Sequence, residues 1–371
     1  ILLFFHLIPV NISYRSKSAY WSTMKSENLS LPVSVIVPLY NREAFLPQLL
    51  RTLECQTFKE FEVILIDDGS TDSTHAWIEK HFRKSVLNYY YIYQDNGGPY
   101  KARNNGLKHS KGKYIVLFDS DDEWPDYHLK QFFDAMEANQ DVDWIFASIE
   151  IIEHESRNVL QESNFVDDSG NKHPIISLQS EIRFVGEGQI RVITDPRLPE
   201  TMIEHTLPGS MQCSMIKRSV FDSHLFDENF RTAYDRFFCM KTAIRGFKFA
   251  YLNNTHLIYH VHDDNISTVS ANTPAEKLKK SAITMIRGYR LIEREAVNLK
   301  QKKAAKKRVG EVHAWELSMA EQSLGDYKAS ISAICVAINN SPKNLLYYKT
   351  LFATYIKLIS SNLIGFIRAD K

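Results

Sequence analysis

Between residues 33 and 118 the chain alternates four short apolar runs with amphipathic stretches, and that alternation leaves few folds open. Val33-Ser34-Val35-Ile36-Val37, Phe61-Glu62-Val63-Ile64-Leu65-Ile66, Tyr89 to Tyr93 and Tyr114-Ile115-Val116-Leu117-Phe118 are rich in β-branched and aromatic residues. Each is bounded by turn formers, the pattern of strands covered on both faces. The segments between them carry residues at helical spacing: Leu46, Leu49, Leu50 and Leu53, then Trp77, Ile78 and Phe82, then Ala102, Asn105, Leu107 and His109. A β-α-β-α-β-α-β order predicts a mostly parallel sheet between helices. Such sheets bind ligands beyond the carboxyl ends of their strands.

Three of those ends are polar: Tyr40-Asn41-Arg42, Asp67-Asp68-Gly69-Ser70 and Asp119-Ser120-Asp121-Asp122. The last is the most demanding, because a buried run passes directly into three acids within four positions. Adjacent carboxylates repel, and each resists desolvation. A cation is expected among them, and an all-oxygen donor set suits Mg or Mn better than Zn. Taken alone, the stretch also reads as an acidic loop capping the helix after Pro125. The topology favours a site, since it gathers all three loops at one edge.

Farther along, Leu129, Phe132, Phe133 and Met136 mark a helix, and a strand runs to Ile152. Residues 153–200 are polar and poorly periodic, and are expected to be an insertion or flexible loop over the site. Ala233-Tyr234-Asp235 opens a helix that Gly246 stops, and a strand near Phe249 leads into His260-Val261-His262. After Pro274 helical patterns dominate. The basic run Lys300 to Arg308 reads as a solvated helix face in preference to an anionic-surface contact. Ala314-Trp315 to Ser341-Pro342 resembles one tetratricopeptide-type helix pair, so a tail of two to three helices is expected. The expected division is 1–31 as an extension outside the fold, 32–268 as the α/β domain and 269–371 as a helical region.

A chain of 371 residues suffices for one large domain and a smaller one. Its 45 basic and 44 acidic residues nearly cancel, which argues against bulk binding to nucleic acid. The 4 cysteines are far apart, without metal-ligand spacing, and read as thiols of a reducing compartment. The apolar start, Ile1 to Val10, is too short to span a bilayer and lacks the flanks of a signal peptide. With no initial Met, residues 1–23 are expected to be a translated upstream stretch or a fragment edge.

The chain resembles the inverting glycosyltransferase family 2, with its GT-A fold. The resemblance is carried by Val35-Ile36-Val37-Pro38-Leu39-Tyr40-Asn41, Val63 to Asp72, Asn96-Gly97-Gly98 with Ala102-Arg103-Asn104, and Asp119-Ser120-Asp121-Asp122. It implies an α/β nucleotide-diphospho-sugar transferase fold, a Rossmann-like mostly parallel sheet, with a small all-helical C-terminal region outside the common core. It further implies that Asp68 accepts a hydrogen bond from the base, that Pro38 and Tyr40 line its pocket, and that Arg103, Asp119 and Ser120 approach the ribose and diphosphate. Asp121 would hold Mn or Mg, with His262 completing the site. His260 stands where an arginine is common, which puts its diphosphate contact in doubt. Asp235 would be the catalytic base, although Tyr234 replaces the acid that usually precedes it.

The function implied is metal-dependent transfer of a sugar from a nucleotide-diphosphate donor, a UDP-sugar above others, to a saccharide or lipid-linked acceptor. The setting implied is surface-polysaccharide assembly in the cytoplasm at the inner membrane face, with peripheral membrane association and no nucleic acid. The absence of Gln-x-x-Arg-Trp points away from long-chain polymerisation. The rival readings are a non-catalytic nucleotide-sugar sensor or scaffold, kept open by Tyr234 and His260, and a nucleotidyltransferase. The second would want a glycine-rich basic loop where Pro38-Leu39-Tyr40-Asn41 stands.

Overall fold

The computed structural model describes residues 20–23, 31–209, 211–261 and 273–369, with main chain only at 20–23 and 362–369. The first half of the chain runs β1 (Tyr20–Thr23), β2 (Val33–Leu39), α1 (Leu46–Cys55), β3 (Phe61–Asp67), α2 (Thr74–Phe82), β4 (Asn88–Tyr93), α3 (Pro99–His109), β5 (Tyr114–Leu117), α4 (His128–Ala138) and β6 (Trp144–Glu153). It continues through β7 (Val159–Gln161), β8 (Ser180–Val185), β9 (Gly188–Ile193), α5 (Leu198–His205), β10 (Ser214–Lys217), α6 (Arg218–Ser223), α7 (Tyr234–Ile244) and β11 (Phe249–Val261). Helices α8 (Ala275–Glu295), α9 (Leu299–Glu311), α10 (Ser318–Ser323), α11 (Tyr327–Asn340) and α12 (Leu345–Ala369) follow.

One sheet orders its strands β1-β4-β3-β2-β5-β10-β6-β11-β9-β8, with β7 against β6. The pairs β4–β3, β3–β2 and β2–β5 are parallel, as is β6–β11. Every residue of β3 is buried, which explains its unbroken apolar run. Of its two buried carboxylates, Glu62 accepts hydrogen bonds from Ser34 at 2.6 Å and from the Lys111 N–H at 2.7 Å. A buried carboxylate so satisfied is tolerated. Register brings Leu39 level with Asp67, and Asp67 level with Tyr93, so the polar loops leave the sheet together.

The expected extension 1–31 needs correction at one place. Tyr20–Thr23 pairs antiparallel with β4, supplying main-chain partners to an edge that would otherwise be open. The expected loop at 153–200 is also corrected: β8 and β9 form an antiparallel hairpin, and β9 joins the sheet through β11. Among the described residues no helix is long and apolar enough to cross a membrane.

Two compact units emerge. The first comprises 1–195, 208–231 and 247–264, and the second 196–207, 232–246 and 265–371. Helices α5 and α7 thus cluster with α8–α12, and the helical part is larger than the expected two or three helices. Within it Phe237 packs edge-on against Tyr289, at 5.2 Å between centroids. Ala314, Ile334, Ala337 and Tyr347 form a further small core.

Candidate active site

The carboxyl ends of β2, β3 and β5 are tied together in the first unit. Asn41 receives a hydrogen bond from the Thr71 N–H at 2.7 Å, and its own N–H donates to Ser70 at 2.9 Å. Asp67, at the end of β3, accepts from the Ser70 N–H at 2.8 Å and from the Tyr91 hydroxyl at 2.6 Å. Burial and the Asp67 charge hold the Tyr91 proton firmly, well above the usual phenol range.

Asp68 is 3 % exposed and fastens the next loop. Its Oδ1 accepts from the Gln94 side chain at 2.7 Å and the Gly97 N–H at 2.8 Å, and its Oδ2 from the Gly98 N–H at 2.7 Å. Gly98 is needed there: its φ is +89°, and an added Cβ would lie 2.3 Å from the Arg231 guanidinium. The Asn96-Gly97-Gly98 stretch is therefore the partner that Asp68 organises. Pro38 is half-buried near the end of β2, and Tyr40 just beyond it is 49 % exposed.

The acids after β5 divide into three environments. Asp119 Oδ1 lies 2.8 Å from Arg103 Nη2, and its Oδ2 accepts from the Gln212 side-chain amide. Arg103 is nearly buried, with its guanidinium 5.6 Å from the Tyr100 ring centre and 5.9 Å from that of Phe226. Asp121 lies 3.2 Å from Arg42 Nη2, and Arg42 in turn sits over Phe45. Asp122 is buried, and burial followed by repulsion from Asp121 and Asp119 pushes its carboxyl well above the usual range. Ser120 is buried between them. The cation that the sequence demands is thus supplied in this structure by two arginines.

Among the described residues no three His, Cys, Asp or Glu side chains stand together as a metal site. The donor set nonetheless suits a hard cation. Mg takes one or two protein carboxylates and completes its shell with water and substrate phosphate. The Arg42 guanidinium already stands as a positive charge on Asp121, marking that carboxylate as one able to take a cation.

His262 lies outside the described residues. His260 is 2 % exposed, with Nε2 2.8 Å from Glu123 and Nδ1 3.0 Å from His154 Nδ1. The hydrogen bond from His260, aided by Arg157 at 2.6 Å, holds Glu123 down to about 2. His260 therefore closes the end of β11 against the β5 loop. Asp235 belongs to the second unit, half-buried in the first turn of α7. The turn starts from Ala233 at φ 64°, a left-handed conformation that costs a residue with a Cβ.

Sequence reasoning placed Asp68, Arg103, Asp119, Ser120, Asp121, Pro38 and Tyr40 at one edge, and the structure brings them there. It missed Arg42 as the partner of Asp121, although Arg42 stands in a strand-end loop. It also missed Gln212, which lies in a loop with no periodic signal.

A parallel sheet ending in this acid-and-arginine edge defines the GT-A class of nucleotide-diphospho-sugar transferase folds. Residues 34–225 match the family described as glycosyl transferase family 2, and the chain belongs to it. An uncharacterized glycosyltransferase of Rickettsia bellii is 33% identical over 205 residues, which is 55% of this chain and 25% of the relative. The poly(ribitol-phosphate) beta-N-acetylglucosaminyltransferase TarS of Staphylococcus aureus is 44% identical over 91 residues, 24% of this chain and 16% of TarS. A crystal structure of S. aureus TarS shares the fold, with TM-score 0.57 and 20% identity, covering 88% of this chain and 53% of that one. The chain therefore spans a minor part, 16% and 25%, of the length of these two relatives.

Proposed function

We propose that the chain transfers a sugar, with inversion, from a nucleotide-diphosphate donor to an acceptor hydroxyl. The observation that carries the reading is the strand-end cluster in which Asp119 pairs with Arg103 and Asp121 with Arg42, beside the loop held by Asp68. A UDP-sugar is the proposed donor, in line with a TarS structure in complex with UDP-GlcNAc (TM-score 0.50). The proposed acceptor is a saccharide or lipid-linked chain of a surface polymer, assembled at the cytoplasmic membrane face. The activity for which TarS is named points, within that class, to a hydroxyl on a polyol-phosphate chain.

Each residue has a defined task in this reading. Pro38 and Tyr40 wall the base, and Asp68 Oδ2 has lone-pair capacity beyond the Gly98 N–H to accept from a base N–H. Arg103 and Asp119 hold the ribose and diphosphate side, with Ser120 packed beneath. Asp121, with His262, would hold Mn or Mg, which when bound offsets the negative charge gathering on the departing diphosphate. Asp235 takes the acceptor's hydroxyl proton. The freed oxygen forms its bond to the anomeric carbon from the face opposite the diphosphate, whose bond breaks with both electrons.

A donor screen for nucleoside-diphosphate release, with Asp121→Ala as the blank, tests this. Release above the blank from a UDP-sugar is expected. If no donor exceeds the blank while UDP still raises the unfolding temperature, the sensor reading replaces transfer.

A further inference from the structure

The helical unit holds a cavity that the transfer chemistry leaves unused. It measures about 430 Å³ and is lined by Arg290, Glu293 and Arg294 of α8 with Lys302 and Lys306 of α9. Packed helices ordinarily set acids opposite bases across such a groove. Here cations face cations, and the lining carries a formal charge of 4 − 1 = +3. Glu293 is its one carboxylate, 3.7 Å from Lys306 Nζ. Among the described residues, Arg290, Arg294 and Lys302 have no carboxylate within 4.0 Å.

All four cations are solvent-exposed, as expected of a solvated helix face, and they stand on two neighbouring helices that line one cavity. Two other charges of the Lys300 to Arg308 run have acids: Lys307 lies 3.5 Å from Glu204, and Arg308 pairs with Glu311 at 2.5 Å. Where α8 and α9 line the cavity, four cations from two helices stand together with one acid among them. Like charges brought together by folding lower stability unless an anion joins them.

The shape and lining narrow the anion. All five lining residues are charged, whereas a helix docked on a lipid surface needs a face of apolar residues to bury. Nothing aromatic lines it, so a nucleobase finds no stacking partner. Two guanidiniums and two ammoniums from separate helices suit several phosphate oxygens in succession, since arginine binds phosphate bidentately and lysine as a point charge.

We propose that the α8–α9 cavity binds the phosphodiester backbone of a polyol-phosphate acceptor chain. The inference rests on the acceptor class proposed above. It makes the helical unit the acceptor's holding site, separate from the strand-end residues that hold the donor.

The test uses the full chain and a fluorescent poly(ribitol phosphate) oligomer, read by anisotropy. The variants are Arg290→Gln/Arg294→Gln and Lys302→Gln/Lys306→Gln, with Lys300→Gln/Lys303→Gln as a control of equal charge change outside the cavity. Each cavity pair is expected to weaken binding about tenfold or more and to flatten its salt dependence, the control much less. The polymer KM should rise while kcat and the donor KM hold, and the unfolding temperature should stay level or rise as repulsion is relieved. Wild type that binds polymer while the cavity variants bind it equally well overturns the cavity alone. Wild type that binds no polymer overturns the acceptor reading, and the cavity with it. Phosphatidylglycerol vesicles that displace the polymer, with their own binding lost in the same variants, would reassign the cavity to membrane and overturn the proposal.

Discussion

The strand edge of the first unit and the α8–α9 cavity of the second both crowd like charges, but they settle them differently. At the strand edge Arg103 and Arg42 sit on Asp119 and Asp121, and burial holds Asp122 towards its neutral form. In the cavity Glu293 faces four cations. The first cluster is compensated from within, so an incoming cation must exchange with a guanidinium already in place. The second has its positive charge open to an incoming anion. A compensated site is fixed before its ligand arrives; an uncompensated one draws stability from it.

The largest effects should break the strand-edge half of that contrast. Asp235→Asn should cut transfer by about 10²–10⁴-fold, the usual contribution of a positioned base, with UDP binding intact by calorimetry. Near-normal turnover would remove Asp235 from the mechanism. Arg103→Gln should leave Asp119 without its charged partner and weaken donor binding by about tenfold, seen as a raised donor KM. A smaller and opposite effect is expected at Arg42. If its guanidinium competes for Asp121, Arg42→Gln should tighten Mn binding several-fold by the free-Mn EPR signal, and an unchanged affinity would show that the two do not compete.

The smallest effect concerns stability away from both clusters. His256 is buried and its pKa is held down to about 3 by desolvation, while neighbouring His128 lies well below the ordinary value for the same reason. Below pH 6.5 the unfolded chain takes up protons that these folded rings refuse. Stability is therefore full above that pH and falls as pH drops towards 3. At pH 5 His256 alone should cost about 2 kcal/mol. His256→Phe should make the unfolding temperature less sensitive between pH 7.5 and 5, and an unaltered slope would contradict this origin.

The same contrast explains what could be read in the sequence. The strands β2 to β5 were legible because each is buried on both faces, so burial wrote β-branched and aromatic runs directly into the chain. Their topology then placed Asp68, Asp119 and Asp121 at one edge without any contact being known. Strand β8 was illegible because Phe184 is 80 % and Ile182 44 % exposed, so neither of its faces reads as a core. Gln212 and the Gly97 and Gly98 partners of Asp68 were hidden because loop contacts follow from tertiary placement, which has no period. The run Lys300 to Arg308 was read as a solvated face, and Lys307 and Arg308 have their acids. Only the helix pairing shows that Lys302 and Lys306 line one cavity with Arg290 and Arg294.

The central claim, that Asp121 and a divalent cation together hold the donor's diphosphate, is tested most directly by titrating UDP into wild type and Asp121→Ala, each with and without Mn. The account predicts that Mn tightens UDP binding to wild type by about tenfold or more and leaves the variant unchanged. Equal tightening in both proteins, or none in either, would contradict it.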